Sequence, residues 1–401
     1  MPKTLVNIIT DETPIPAYLF VKEMYEAGDR LMFVSAKDDV KNLGHLAASF
    51  SVSNDSIDAV VLHRDDDEFL YERICRRLNA ELKEGTVYYV NLAGGTRYLS
   101  LAVQQAFEKF HAKFFYVNVE GNTIVNSMFD NGIYNEDDFT YPIRHKMSVA
   151  EYLTLHDMQH DIDQEHDHTP YCSQQSATNC FKMFSSQIVP GFCFDVLDKL
   201  RLGYRNAKSV DGKKTLAVIK RKYEISISEM QHPHNPQWVE IPELSDFLCT
   251  IRFIPKKPHS INKDEIDFLT GGWLEQYVYY WAQKHVKPDD IHIGVHIRRK
   301  EVPVHNNELD VVFTKNNHLY VIECKTGVEN NRMFNDIVYK VCALKEVLLG
   351  LSCHSFIVSL KKDNLQDGLK KVARNMGVTF IDHAMLTRSA KLTEFINKLS
   401  K

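Results

Sequence analysis

A chain of 401 residues is long for one domain and sets an expectation of two or three. Hydrophobic residues at 44% and charged residues at 25% are those of a soluble globular protein and exclude wholesale disorder. A formal charge of −5 excludes a generic polycation, so any nucleic acid has to be met by a local basic patch.

The opening MPKTLVNIIT has no long apolar segment followed by a small-residue cleavage site. No run of about 18 apolar residues occurs anywhere, so no membrane span is expected. The eight cysteines are scattered without a C-x-x-C pair, which suits free thiols in a reducing cytoplasm.

Residues 1 to 125 alternate strand and helix patterns. TLVNIIT predicts a strand, the turn-rich DETPIP follows, and an amphipathic helix is expected from Ala17 to Ala27. RLMFVSA and DAVVLH read as the second and third strands, each followed by a helical pattern. TVYYVNL is the fourth, then AGGTR, then a helix from Tyr98 to Phe110. AKFFYVNV and NTIVNSMF close the segment, with Glu120-Gly121 as a hairpin turn. Alternation at this spacing implies a mostly parallel, doubly wound α/β sheet.

Between 146 and 180 a helix decays into a polar stretch rich in His and Asp, the best candidate for a boundary or linker. Residues 181–260 carry few clear signals and read as a small intermediate module. From 262 onward, WLEQYVYYWAQKH predicts a helix and DIHIGVHIRR a strand. ELDVVFTKNNHLYVIECKTG then predicts two strands, followed by helix, strand, helix and strand. The expected division is therefore 1–145, 146–260 and 261–401, the last with αβββαβ order.

The stretch from 308 to 327 places Asp310, Glu323 and Lys325 inside an apolar alternation. With Asn316-Asn317 as a two-residue turn, Phe313 faces Tyr320, Val312 faces Val321, and Asp310 would face Glu323. Period-2 alternation adds Lys325 to that face. Two close carboxylates repel and raise one pKa unless a cation neutralises them. Mg²⁺ or Mn²⁺ suits such a pair, and lysine can stabilise charge or position water for phosphodiester hydrolysis. The alternative is a polar hairpin whose carboxylates are solvated or paired with lysine. The apolar flanks VVF and LYVI favour burial, where unpaired Asp and Glu are rare.

NLAGGTRYLSLAV follows a predicted strand and opens a helix. Gly94 and Gly95 permit close backbone approach, Thr96 is a good N-cap, and Arg97 adds charge at a helix N-terminus that attracts phosphate. The loop TDETPIP and the second strand's end at Ser35 and Lys37 would share that sheet edge. A turn plus a helix cap is the plainer reading; the Walker A pattern is absent.

The pattern Asp310…Glu323-Cys324-Lys325 resembles the PD-(D/E)xK nuclease superfamily, although no proline precedes Asp310. The resemblance implies a restriction-endonuclease-like core, metal ligation by Asp310 and Glu323, catalysis with Lys325, and a third carboxylate from the preceding helix, Glu275. NLAGGTR resembles the Gly-Gly-Thr-(Lys/Arg) loop of CARF domains, Rossmann-like sensors of cyclic oligoadenylates in type III CRISPR defence. The order sensor, connector, nuclease matches fused CARF nucleases over nearly the whole chain. It implies a homodimer binding cyclic tetra-adenylate through Thr10, Asp11, Ser35, Lys37, Gly94, Gly95, Thr96 and Arg97. The expected activity is activator-dependent, Mg²⁺- or Mn²⁺-dependent cleavage of single-stranded RNA or DNA, with nicking of duplex DNA open. Alternatives are a ligand-independent DNA endonuclease, or an inactive sensor that binds nucleic acid. The sensor domain could also degrade its own activator.

Three further groups have plainer readings. His156, His160, His166 and His168, with Asp157, Asp161, Asp163 and Asp167, invite a zinc reading, but H-E-x-x-H is absent and the segment reads as a linker. Lys213, Lys214, Lys220, Arg221 and Lys222 could meet a phosphate backbone, or form a solvated face. Trp273, Tyr277, Tyr280 and Trp281 recur at helical spacing and read as core.

Overall fold

The computed structural model describes residues 2–9, 13–36, 46, 49–50, 52, 54–62, 71–126, 139–162, 168–185, 191–210, 224–226, 243–257, 260–299, 307–326, 331–344, 353–360, 371, 373–381 and 383–387. Thr10, Asp11, Lys37, His166, Asp163, Asp167 and the basic run at 213–222 lie outside them.

The first sheet contains β1 (Lys3–Ile9), β2 (Arg30–Ala36), β3 (Ile57–Leu62), β4 (Val87–Asn91), β5 (Lys113–Asn118), β6 (Thr123–Asn126) and β7 (Thr140–Pro142). Its order is β3-β2-β1-β4-β5-β6-β7. The first five strands run parallel, and β6 and β7 add antiparallel. The order reverses between β1 and β4, the position at which open α/β sheets form a ligand crevice.

Helices α1 (Ile15–Met24), α2 (Tyr71–Glu81) and α3 (Arg97–Glu108) flank this sheet. α2 and α3 pack on one face through Ile74, Leu78, Val103 and Phe107. The first helix starts two residues earlier than its sequence pattern suggests, because the Pro14-Ile15-Pro16 stretch opens it rather than preceding it. It is not amphipathic there: Ile15 through Val21 are all buried. Those residues lie between the first sheet and a second one, in an apolar cluster that also holds Phe115, Tyr152, Val295, Val312 and Val321.

The second sheet has order β15-β14-β13-β12-β11-β8. Its strands are β8 (Met158–His160), β11 (Asp290–Arg299), β12 (Asn307–Lys315), β13 (His318–Lys325), β14 (Cys353–Ser359) and β15 (Val378–Ile381). β13, β14 and β15 pair in parallel; the others are antiparallel. A small ribbon, β9 (Glu224–Ser226) with β10 (Ser260–Asn262), stands apart from both sheets.

The segment at 146–260, read from sequence as linker and small module, places its described parts around this second sheet. It begins with α4 (Val149–Leu155), closed by a capping box between Ser148 and Glu151. β8 then joins the sheet edge beside β11. Helices α5 (Gln174–Ser185), α6 (Gly191–Val210) and α7 (Leu244–Thr250) share one apolar core with α8 (Trp273–His285) and with Phe313, Tyr320 and Phe356 of the sheet. Phe181 stacks on Tyr277 at 4.0 Å, and the Cys172 N–H donates to Gln276 Oε1 at 2.9 Å. Trp273 and Trp281 are buried and Tyr277 and Tyr280 pack at the margin, so this aromatic set is core. On the other side of the sheet, α9 (Asn331–Leu344) packs Ile337, Val338 and Val341 against Ile357 and Val378.

The two sheets meet at the tip of the β12–β13 hairpin. Asn316 and Asn317 have φ of 49° and 63°, the paired positive values of a type I′ turn. The register from Val311↔Ile322 to Lys315↔His318 is the one expected from that turn. Asn317 is 1% exposed. Its Oδ1 accepts from the Met147 N–H at 2.9 Å, while its Nδ2 donates to Asn122 Oδ1 at 2.9 Å and to the His145 carbonyl at 3.1 Å. Beside it the Val149 N–H donates to Asp290 at 2.8 Å, and Lys146 pairs with Asp289 at 2.7 Å.

Asn317→Gly keeps the left-handed backbone but deletes three hydrogen bonds, one of them to an amide in the domain junction. With net values near 1 kcal/mol per bond and more for an amide left without a partner, a loss of about 3 kcal/mol is expected. Urea unfolding of the variant should show a lower midpoint, or a separate early transition of the first sheet; an unchanged midpoint would contradict the assignment.

Candidate active site and phosphate-binding loop

At the end of the hairpin away from its turn, the β12–β13 ladder stops after Val311↔Ile322. The expected Asp310–Glu323 backbone pair is replaced by a side-chain contact. Asp310 Oδ2 accepts from the Cys324 N–H at 2.7 Å, so the carboxylate satisfies an amide that the diverging strand no longer reaches. Asp310 and Glu323 are 7% and 3% exposed. Lys325 Nζ stands between them, 3.3 Å from Asp310 Oδ2 and 2.9 Å from Glu323 Oε1. The structure therefore brings these three groups together, by a different route from the expected ladder pair.

Glu275 lies in the first turn of α8, which leans on β11, β12 and β13. Burial, then the charges of Asp310 and Glu308, push its carboxyl up to about 8; Lys325 opposes and Glu323 adds to the rise. Burial, followed by the Glu323 charge, raises Asp310 to about 6, against the pull of Lys325 and the Cys324 amide. Burial works against the Lys325 ammonium, but Asp310 and Glu323 hold its pKa above the ordinary lysine value. The site is thus crowded with carboxyl groups whose raised pKa values and neighbouring ammonium groups hold the negative charge in check.

One ammonium already sits within hydrogen-bond reach of both buried carboxylates. The donors are hard oxygens, so the pair fits a small, hard divalent cation at that place. Among the described residues no group of three or more His, Cys, Asp and Glu side chains is arranged to hold a metal. Glu275 is coupled to the pair electrostatically, through the charges of Asp310 and Glu323. The described members of the histidine cluster likewise show no such grouping. His168 and His296 instead flank Asp161 at 3.1 and 2.9 Å, and burial lowers His156 to about 4.

Sequence reasoning missed Lys340. From α9 its Nζ reaches Glu323 Oε1 at 3.0 Å and Oε2 at 3.3 Å. Residues 337, 338 and 341 form the helix's buried stripe, and 340 falls on its margin. Nothing local marks that lysine until the helix is laid across β14 and β15, beside β13.

The second candidate site lies at the switch point of the first sheet. Asn7 and Asn91 face each other across β1 and β4, and Asn91 Nδ2 donates to Asn7 Oδ1 at 3.1 Å and to the Pro16 carbonyl at 3.3 Å. Asn91 Oδ1 accepts from the Ala93 N–H at 3.0 Å, which fixes the start of the glycine loop. Gly94 has φ of +99°, and a Cβ on Gly95 would stand 2.7 Å from Ile8 Cγ2. Both glycines are thus required by the close passage of the loop over the end of β1. Thr96 caps α3 by accepting from the Leu99 N–H at 3.2 Å, and Arg97 is exposed beside it. Ser35 lies next to the end of β2 at the same edge, buried, and its hydroxyl has no hydrogen-bond partner among the described residues.

A sensor-like loop on one sheet and a nuclease-like carboxylate pair on the other is the combination that the comparisons bear on. Residues 4–152 match the model of the Card1 CARF domain, and residues 262–396 match that of the Card1-like endonuclease domain. The chain is a Card1-like CARF-domain endonuclease. Protein VC1899 from Vibrio cholerae has a similar structure, with TM-score 0.69 at 18% identity over 99% of this chain and 98% of that one. Can2 from Sulfobacillus thermosulfidooxidans, solved in complex with cyclic tetra-adenylate, gives a TM-score of 0.65 at 20% identity over 100% and 99%. At these identities the likeness speaks for the shared fold. Among curated proteins none matches.

Asp310 and Glu275 bind protons more tightly in the folded protein than in the unfolded chain. The metal-free protein keeps that stability below about pH 4 and loses it as pH rises through about 6 and about 8. In EDTA the melting temperature should fall between about pH 7 and pH 8, above the range in which the buried, neutral His156 adds stability as pH rises, with a shallower fall in Glu275→Gln. Mn²⁺ should stabilise more at the upper end of this range than at the lower. Differential scanning calorimetry tests this, and a slope of opposite sign would refute it.

Proposed function

We propose that this protein is a cyclic-oligoadenylate-activated nuclease of type III CRISPR antiviral defence, with cyclic tetra-adenylate as activator. The observation that carries the reading is the pair of buried carboxylates bridged by Lys325 at one end of a hairpin whose other end is docked on the CARF domain. The cyclic tetra-adenylate bound to Can2 supports the choice of activator.

Asp310 and Glu323 hold Mg²⁺ or Mn²⁺ in this reading, and the cation supplies charge neutralisation and water acidification when bound. Lys325, already tied to both carboxylates, stabilises the charge that develops on the phosphate. Glu275, whose carboxyl burial and the neighbouring carboxylates push up to about 8, would supply a further negative charge beside the cation once ionised. The substrate class is single-stranded RNA or DNA, and nicking of duplex DNA fits the same chemistry.

The activator is assigned to Gly94, Gly95, Thr96 and Arg97 at the N-terminus of α3, with Ser35 beside them. Thr10, Asp11 and Lys37, outside the described residues, complete this set by the CARF resemblance. A two-fold ligand calls for a homodimer with one shared pocket. Tyr98 and Leu101, 42% and 58% exposed on α3, offer apolar surface next to the loop for that contact. Eight free cysteines suit a cytoplasmic protein, and among the described residues no helix is long and apolar enough to cross a membrane.

Labelled single-stranded RNA and DNA incubated in Mn²⁺ should be cut only when cyclic tetra-adenylate is added. Glu323→Ala should reduce the rate by about a thousandfold. Arg97→Ala should raise the activator concentration needed by about tenfold, leaving the fully activated rate intact. Cutting without activator would retain the nuclease and remove the sensor role; no cutting under any condition would leave a nucleic-acid-binding sensor.

A further inference from the structure

Glu323 is held by two ammonium groups, and they are not equivalent. Its Oε1 accepts from Lys325 at 2.9 Å and from Lys340 at 3.0 Å. Lys325 is also paired with Asp310 and belongs to the same strand as Glu323. Lys340 comes from α9, and Glu323 is its one ion-pair partner among the described residues. Their side chains are 30% and 41% exposed.

A cation bound through Asp310 and Glu323 needs oxygen lone pairs that the ammonium groups now occupy. Lys325 spans both carboxylates from the strand that carries Glu323, whereas Lys340 reaches across from α9 to Glu323 alone among the described residues. The lysine displaced is therefore Lys340. Its flexible four-carbon stem leaves the ammonium at the rim of the site, a compact charge with three donors suited to a phosphate oxygen.

We infer that Lys340 exchanges partners, resting on Glu323 in the metal-free protein and gripping a substrate phosphate once a divalent cation takes that carboxylate. The inference rests on the nuclease reading above and adds a second lysine to the site, one that holds substrate while Lys325 serves the reacting phosphate. The exchange also sets an order: a cation at Glu323 frees the charge that nucleic acid then meets.

Lys340→Ala and the near-isosteric Lys340→Met test it, since a half-exposed side chain on the margin of α9 can be removed without emptying a core. Mn²⁺ binding without nucleic acid, measured by electron paramagnetic resonance, should become about twofold to fivefold tighter in both variants. Binding of single-stranded nucleic acid in Ca²⁺ should weaken by about tenfold, and the slope of log affinity against log salt should shrink by about one. In activated turnover KM should rise with kcat changed less, and Lys340→Arg should recover part of the loss. A wild-type protein that binds Mn²⁺ and cleaves, with variants unchanged in Mn²⁺ affinity and KM, overturns the role of Lys340 and leaves the nuclease reading standing. Weaker Mn²⁺ binding in both variants also overturns it, because Lys340 would then be holding Glu323 in place for the cation. A wild-type protein that neither binds Mn²⁺ nor cleaves removes both readings.

Discussion

The buried amide of Asn317 is the contact on which the arrangement of this molecule turns. It sits at the tip of the β12–β13 hairpin and satisfies an amide, a carbonyl and a second asparagine of the CARF side. From that tip to Asp310 and Glu323 the strands run about six residues, or about 20 Å at strand rise. The same two strands therefore carry the domain junction at one end and the carboxylates at the other. A paired, buried ladder transmits a displacement better than a loop does, because its hydrogen bonds resist local bending.

Contacts continue from that tip toward the ligand crevice. Glu23 of α1 accepts from the backbone amides of Arg144 and His145, and Tyr18 of α1 donates to Glu151 of α4 at 2.5 Å. Burial works to raise the Glu151 carboxyl, but His145, Tyr18 and the Ser148 amide hold it down at about 2, so it is ionised in this cluster. The helix α1 is thus bound at both its faces, which explains why its first two turns carry no polar side. Since α1 directly follows the first β–α loop, a shift of that loop acts on an element tied to residues 144–151, and these are tied to the hairpin tip. This is physical contiguity with few compliant joints, the kind of path that the proposed activator would need in order to favour one of two states.

Local chemistry explains which parts were legible in the sequence. The Asn316-Asn317 turn fixed the register of β12 and β13, because two adjacent residues tolerant of positive φ leave few other hairpins open. The strand–helix alternation gave the first sheet, and the glycine loop fell at its switch point because that point follows from strand order. Three things were not legible for the opposite reason. The end of the ladder at Val311↔Ile322 depends on strand divergence, which side-chain period does not report. The burial of α1 on two sides depends on a second sheet far away in sequence. β8 is three residues long and its partner strand lies more than a hundred residues downstream, so no local pattern announces it. Lys340 belongs with these, since a lysine at the margin of a helix looks like ordinary solvated charge.

The balance of charge at the catalytic end adds a last step. With Glu275 protonated, the negative charges of Asp310 and Glu323 are matched by the ammonium groups of Lys325 and Lys340. Buried charge is tolerated when paired in this way and is costly otherwise. Under the function proposed above, a divalent cation at the pair would take over part of that internal neutralisation and favour loss of the Glu275 proton, and the surplus positive charge would be matched by a phosphodiester.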